Sequence, residues 1–365
     1  MRGVLRHTGT IARLGGDEFA AIVPCIEPQA VPRLARELLQ LFQIPYEVQG
    51  QPVVVGASIG IALFPEHGLE PEALLRRADV AMYVAKCSGE GFAFYEPCQD
   101  QNSPDRLTMI GDLRQAVDQG ELVLHYQPKI ELSTGGLEGV EALVRWQHPM
   151  RGLIAPDQFI AVAEQAGLID ALSQWVLRAA LRQCRAWRRG GLDIPVAINL
   201  SPRNLHDQRL PDTIAKLLAQ HKLPPHLLGL EITESTLMAD PARALDVLTR
   251  LRDMGIRVAI DDFGTGHSSL AYLKRLPVAE LKIDRSFIRD IVSDESDRLI
   301  VRTTVELAHS FGLRVVAESV EDDLTKHLLT ELGCDVGQGF HMSRPLPGPE
   351  VTHWLHEQLS TQRAA

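Results

Sequence analysis

Several patterns are missing from this sequence of 365 residues. Its five cysteines, Cys25, Cys87, Cys98, Cys184 and Cys334, are odd in number and never form a C-x-x-C pair. That spacing excludes a disulfide framework and a thiolate zinc site, and points to reduced, mostly buried thiols in a cytoplasmic setting. No apolar run approaches the roughly 20 residues of a membrane helix, and Met1-Arg-Gly-Val lacks the apolar core of a signal peptide. Basic charge is short as well: 37 Lys and Arg stand against 47 Asp and Glu, a formal net charge of -10. A nucleic-acid polymer as partner is thereby disfavoured, because binding phosphates needs a basic surface that releases counterions. A small phosphorylated ligand held through metal ions remains allowed.

What is present is ordinary soluble composition, 45% hydrophobic and 23% charged, in a chain long enough for two domains. Thr10 to Val23 reads as two short strands joined by Gly15-Gly16-Asp17-Glu18, with Phe19 opening the second. A helix carrying Leu34, Leu38, Leu41 and Phe42 follows, then a strand expected from Val53 to Leu63 and an amphipathic helix that stops near Gly89. Glu96 to Pro104 is polar, carries a proline at either end and has no periodicity, which marks a linker. The expected boundaries are a first domain at 1–97, a linker at 98–106 and a second domain at 107–365.

The second domain opens with two strands, Leu122 to Leu132 and Leu137 to Trp146, around Gly135-Gly136. Short apolar strands then alternate with helices, and glycines such as Gly167, Gly255, Gly312 and Gly333 fall where helices should stop. Eight strands over about 250 residues fit a (β/α)₈ barrel. The polar residues that close these strands carry the functional argument. Val140 leads into Glu141; Val196-Ala-Ile into Asn199; Leu228-Gly-Leu into Glu231 and Glu234; Val258-Ala-Ile into Asp261 and Asp262; Leu281 into Lys282 and Asp284; Val315-Val-Ala into Glu318 and Glu321; Val336-Gly into Gln338. Each alone reads as a surface turn, but parallel barrel strands end on one face, so these groups would converge. So many carboxylates in one place need cations. Oxygen ligands with one amide, no thiolate and no histidine suit Mg²⁺ or Mn²⁺, and shared carboxylates suit two ions. Lys282 is either a cation for a phosphate or a salt-bridge partner of the acids.

Two stretches carry family resemblances. Arg13-Leu-Gly-Gly-Asp-Glu-Phe19, Ser58-Ile-Gly-Ile-Ala62 and Arg77-Ala-Asp-Val-Ala-Met-Tyr83 with Lys86 resemble the later half of a GGDEF domain, the diguanylate cyclase fold. The family's opening strand and helices have no counterpart ahead of Met1, and Gly9 stands where the family often has the acid of a product-inhibition motif. The resemblance therefore implies a partial, cyclase-silent domain. Glu141-Ala-Leu-Val-Arg-Trp146 resembles the signature of the EAL domain, a cyclic-di-GMP phosphodiesterase, over about Leu107 to Pro347. That resemblance implies a TIM-like barrel. It also implies one metal on Glu141, Asn199, Glu231 and Asp261 and a second on Asp261, Asp262 and Glu318, with Lys282 near the attacking water and Glu318 a candidate base. Gln127, Arg145 and Gln338 would lie near the substrate, and Glu234, Glu321 and Asp284 behind the ligands. His267 stands where the family usually has Tyr, in a loop tied to homodimer contacts.

The expected function is thus hydrolysis of cyclic-di-GMP to linear pGpG. A silent receptor for the same dinucleotide is the alternative, and an enolase-like barrel with Lys282 as base is the reading from chemistry alone.

Overall fold

The computed structural model describes residues 9–364 apart from 17, 28–29, 43–45, 49–50, 54–55, 89–90, 97–103, 240 and 265–272. The chain forms two compact units, divided between Met109 and Ile110 within the helix Pro104–Gln119. That helix takes in the last three residues expected as linker, because Pro104, whose ring suits a first helical turn, starts it.

In the N-terminal unit, β1 (Thr10–Gly15) and β2 (Glu18–Ile22) form an antiparallel hairpin whose Leu14, Phe19 and Ile22 are exposed. The helix Val31–Phe42 buries Val31, Ala35 and Leu38. A second hairpin pairs β3 (Tyr46–Val48) with β4 (Gln51–Val53), and β5 (Ile59–Ile61) pairs in parallel with β6 (Phe92–Phe94). The strand expected from Val53 to Leu63 is therefore split between β4 and β5, which belong to different sheets. Helix Pro71–Ser88 presses on β5 so closely that a Cβ at Gly60 would lie 1.8 Å from the Ala78 carbonyl oxygen; only glycine fits that contact.

The C-terminal unit is a closed barrel. Its strands are β7 (Leu122–Glu131), β8 (Leu137–His148), β10 (Val196–Asn199), β11 (Leu228–Thr233), β12 (Arg257–Phe263), β13 (Glu280–Ile283), β14 (Arg314–Ala317) and β15 (Val336–Gly337), with short β9 (Gly152–Ile154) and β16 (Leu346–Pro347) at the margin. From β8 to β15 neighbours run parallel, while β7 is antiparallel to both β8 and β15 and closes the ring. The tight hairpin between β7 and β8 forces that reversal, since a two-strand connection without a crossover can only be antiparallel.

Side chains alternate along each strand. Ile198, Leu230, Ile232, Val258, Ile260, Leu281 and Val315 are buried outward under the helices, and burying each such side chain contributes about 1.5–3 kcal/mol. Most inward positions are polar or small, with Val316 and Val336, level with Lys282 in the register, as the apolar exceptions. At the floor, where the strands begin, Glu138 accepts from Arg257 at 2.6 Å and lies 2.9 Å from Arg314, while Arg257 also meets Glu280 at 3.4 Å. Above them come Ala197, Gly229 and Ala259, and at the strand ends Asn199, Glu231 and Asp261. Helix punctuation follows the sequence: Pro156 opens the helix Pro156–Gln165, and Gly167, at φ 70, follows its end.

Candidate active site

The strand ends converge on one ammonium group. Lys282, fully buried on β13, donates to Glu231 Oε2 at 2.5 Å and to Asp261 Oδ2 at 3.0 Å, and its Nζ lies 2.7 Å from Glu318 Oε1 and 3.7 Å from Glu141 Oε2. Three β-strands, β8, β11 and β12, and the residue that follows β14 thus each deliver one carboxylate to a lysine on β13. Around Glu141 the amides form a cradle. Asn199 Nδ2 donates to Glu141 Oε1 at 2.6 Å, and Gln338 Nε2 donates to Glu141 Oε2 at 2.6 Å and to Gln127 Oε1 at 3.0 Å. Gln127, opposite Glu141 in the β7–β8 register, passes its own N–H to the Ser343 carbonyl at 3.1 Å.

Burial would push every acid here up and every lysine down, so the balance of neighbours decides each group. Lys282 stays well above its ordinary range, because Glu141, Glu231, Glu318 and Asp261 outweigh its burial. Glu231, which burial alone would raise, falls to about 2 against Lys129 and Lys282. Glu141 goes up through burial and the charge of Glu231. Glu318 rises to about 8 through burial and the repulsion of Asp261 and Glu141, with Lys282 opposing. Asp262 rises to about 6, through burial, then Asp261 and Asp284.

Five carboxylates therefore share two buried ammonium groups, an imbalance that a divalent cation would correct. One oxygen from each of Asp261, Asp262 and Glu318 lies within 4.8 Å of the others, a spacing able to surround an ion. The second expected set, Glu141, Asn199 and Glu231, is contiguous with it through Asp261 and Lys282. Hard oxygen donors with a net negative charge fit Mg²⁺-like ions. Local backbone also serves this geometry: Asp262 and Ser319, the residues after Asp261 and Glu318, sit at φ 54 and φ 52, and Asp262 donates its amide to Asp261 Oδ1 at 2.9 Å.

The other expected residues have mixed fates. Glu234 is buried and accepts from the Gly264 amide at 3.2 Å, while its Oε1 is buried with no hydrogen-bond partner among the described residues. Asp284 caps the helix Arg285–Ile288, accepting from the Ser286 amide at 2.9 Å, and hydrogen-bonds Asp262. Arg145 is half-buried on the strand that carries Glu141 and donates to the Val144 carbonyl at 2.9 Å. Glu321 is exposed and makes no side-chain hydrogen bond or ion pair among the described residues. His267 and Asp17 lie outside the described residues. Gly15, Gly16, Glu18 and Phe19 occupy the β1–β2 hairpin, with Glu18 exposed. Sequence reasoning missed Lys129, whose buried ammonium donates to Glu231 Oε1. Its signal was available: two residues from Gln127 on one strand, it shares that residue's inward face.

Comparison with known proteins agrees with this geometry. Residues 110–345 match the EAL domain family, and residues 1–91 match the diguanylate cyclase GGDEF domain. MucR of Pseudomonas aeruginosa, named a bifunctional diguanylate cyclase/cyclic di-GMP phosphodiesterase, is 45% identical over 96% of this chain and 52% of its own. PdeR of Escherichia coli, named a cyclic di-GMP phosphodiesterase, is 38% identical over 97% of this chain and 54% of its own. The chain spans about half the length of the curated relatives it matches. Among solved structures, the MucR phosphodiesterase of Pseudomonas aeruginosa in complex with c-di-GMP is 47% identical, covers 67% of this chain and 99% of its own, and superposes with TM-score 0.65. The EAL domain of Mycobacterium smegmatis DcpA is 38% identical over 66% of this chain and 97% of its own, with TM-score 0.56. With a barrel that gathers Glu141, Glu231, Asp261 and Glu318 around Lys282, and a family match over most of its length, this chain belongs to the EAL domain family, joined in tandem to a GGDEF region.

Proposed function

We propose that the barrel hydrolyses cyclic-di-GMP to linear pGpG with two divalent cations, Mg²⁺ or Mn²⁺. The observation that carries this reading is the convergence of Glu141, Glu231, Asp261 and Glu318 on Lys282 inside the barrel. The phosphodiesterase names of MucR and PdeR, and a dinucleotide complex among the similar structures, support it. Glu141, Asn199, Glu231 and Asp261 would hold one ion, and Asp261, Asp262 and Glu318 the other. Bound there, the cations supply Lewis-acid polarisation of the phosphodiester and neutralise charge on the attacking and leaving oxygens.

The chain's own groups divide the remaining work. Lys282 keeps its proton, and its three N–H groups already serve Glu231, Asp261 and Glu318, so it orients carboxylates and offers positive charge rather than abstracting a proton. That argues against the enolase-like reading, which needs a neutral lysine. Glu318, whose side chain is part exposed at the mouth and 2.7 Å from Lys282, is the candidate to receive the proton of the attacking water, a role open to its carboxylate only where a cation does not hold it directly. Arg145, half-buried four residues along the strand from Glu141, offers a guanidinium to a phosphate. Gln338 donates to Glu141 and is itself held by Gln127, which places both amides beside that carboxylate.

The test is incubation of folded, Mn²⁺-loaded protein with cyclic-di-GMP, followed by chromatography of the nucleotides. Appearance of pGpG is expected; intact dinucleotide after long incubation would sink the reading, and tight binding without turnover would make the barrel a receptor.

The proposal extends to three further points. The GGDEF unit makes no cyclic-di-GMP; Glu18 is exposed and forms no side-chain bond among the described residues. MucR carries a cyclase in its name, so the deciding assay is GTP with Mg²⁺, and product abolished by Glu18→Ala would overturn this point. The chain works as a homodimer through its barrel, which sedimentation would refute by finding a fully active monomer. The compartment is the cytoplasm: Cys25, Cys184 and Cys334 are free thiols, and no helix among the described residues is long and apolar enough to cross a membrane.

A further inference from the structure

Lys129 is a buried cation that the chemistry above leaves without a task. It lies mid-strand on β7, only 5% exposed, and its ammonium donates to Glu231 Oε1. Lys282 donates to the other oxygen, Oε2, at 2.5 Å. One carboxylate is therefore held on both of its oxygens by lysines from two different strands. Glu231 is itself 1% exposed, so no water competes for either oxygen from the bulk.

The barrel interior is shaped to let Lys129 reach this far. Gly139, Ala197, Gly229 and Ala259 line the space between the floor and Glu231, together with Lys129 itself, around a cavity of about 30 Å³. That volume is of the order of one water molecule. Even one added methyl would crowd it: a Cβ at Gly229 would lie 3.3 Å from Ala197 Cβ. The floor arginines do not substitute for the lysine, because Arg257 and Arg314 are both engaged by Glu138, with Glu280 and Glu131 beside them. An ammonium beneath Glu231 is thus a feature of one strand threading a layer of small residues.

We propose that Lys129 is a positioning residue for the metal centre: by holding Oε1 it fixes the rotation of the Glu231 carboxylate and turns Oε2 to the side shared with Lys282, Asp261 and Glu318. A carboxylate gripped at one oxygen only would rotate, and a ligand that rotates binds a cation less tightly. Partners behind a metal ligand typically change affinity or activity by about 10–100-fold when removed. This inference rests on the reading of Glu231 as a ligand.

The experiment is a double-mutant cycle on the full chain with Lys129→Met, Lys129→Gln, Glu231→Gln and the two combinations. Thermal melting in EDTA reads the metal-free pair, and Mn²⁺ titration followed by electron paramagnetic resonance reads the centre without reference to turnover. Lys129→Met is expected to weaken Mn²⁺ binding by at least about 10-fold, to lower kcat more than it changes KM, and to add nothing further once Glu231 is Gln. Equal losses on both backgrounds would overturn the inference, because Lys129 would then not act through Glu231. So would Mn²⁺ binding unchanged in both neutral variants, or failure of both to fold, which would make the lysine a structural charge. Wild-type protein that takes up no Mn²⁺ would instead bring down the metal reading itself, and the present inference with it.

Discussion

Glu318 and Lys282 are 2.7 Å apart, yet they live in different surroundings: the lysine is sealed inside the barrel while the glutamate side chain keeps 20% of its surface exposed at the mouth. The pair is the outermost rung of a stack of charges that begins at the floor arginines. Removing the lysine should therefore be felt by every acid above and beside it. Lys282→Met is expected to cost about 3–5 kcal/mol of stability in metal-free protein, the range for breaking a buried ion pair. Excess Mn²⁺ should restore much of the melting temperature by supplying charge from outside. Turnover should still fall by about 10² or more. Unchanged melting in EDTA would mean that the acids do not depend on this lysine.

Metal uptake should release protons. Glu318, raised to about 8, is mostly protonated at neutral pH in the metal-free chain, and only its anion is a ligand. Its pKa is raised, so lowering the pH favours the protonated form and opposes the cation. Mn²⁺ affinity should therefore weaken from about pH 9 to about pH 6. Calorimetry in two buffers of different ionisation enthalpy measures the protons released, and a count of zero at neutral pH would show Glu318 already ionised.

Asp261 and Asp262 are neighbours with unequal duties. Asp261 meets Lys282 through Oδ2 and the Asp262 amide through Oδ1, whereas Asp262 is half-buried beside Asp284. Asp261→Asn should abolish turnover and weaken Mn²⁺ binding, and Asp262→Asn should do less to both. Equal effects measured by the phosphodiesterase assay and metal titration would deny Asp261 a bridging position.

The thiols should react in an order fixed by burial. Cys184 is pushed up to about 11 and Cys334 to about 12, by burial and then by Asp193 and Asp335 respectively, while Cys25 is exposed. A raised pKa means less thiolate, so at pH 8 iodoacetamide should label Cys25 and leave the other two until the barrel unfolds. Mass spectrometry of the modified peptides checks this, and early labelling of Cys334 would show that the barrel opens on that side.

Much of the site could be read from the sequence because barrel strands turn a linear pattern into a spatial one. An apolar run leading into a polar group brings that group toward the mouth, which places Glu231, Asp261, Lys282 and Glu318 within two residues of a strand end, whereas Glu141 lies inside β8 and was found by its motif. Glu321 is less legible: it stands three residues beyond Glu318, where the strand has ended and alternation no longer dictates direction. Lys129 was missed for the opposite reason, since it lies inside a strand rather than at its end, where a lysine in an antiparallel hairpin usually reads as solvent-facing. Phe263 is buried and pairs with Ile283 across β12 and β13, so altering it would disturb the site directly. The β6 strand, three residues long, gave no periodicity to find.

The left-handed backbone at Asp262 sets stability against catalysis. A residue with a Cβ pays on the order of 1 kcal/mol in that conformation, somewhat less for Asp, and glycine adopts it freely. Asp262→Gly should consequently give a barrel that melts no lower than its parent in EDTA, or slightly higher, because it relieves both backbone strain and one surplus negative charge. The same change removes a carboxylate from the group that could hold an ion. A search for more stable variants made without selecting for turnover should therefore drift toward glycine here, yielding a robust fold with an idle centre.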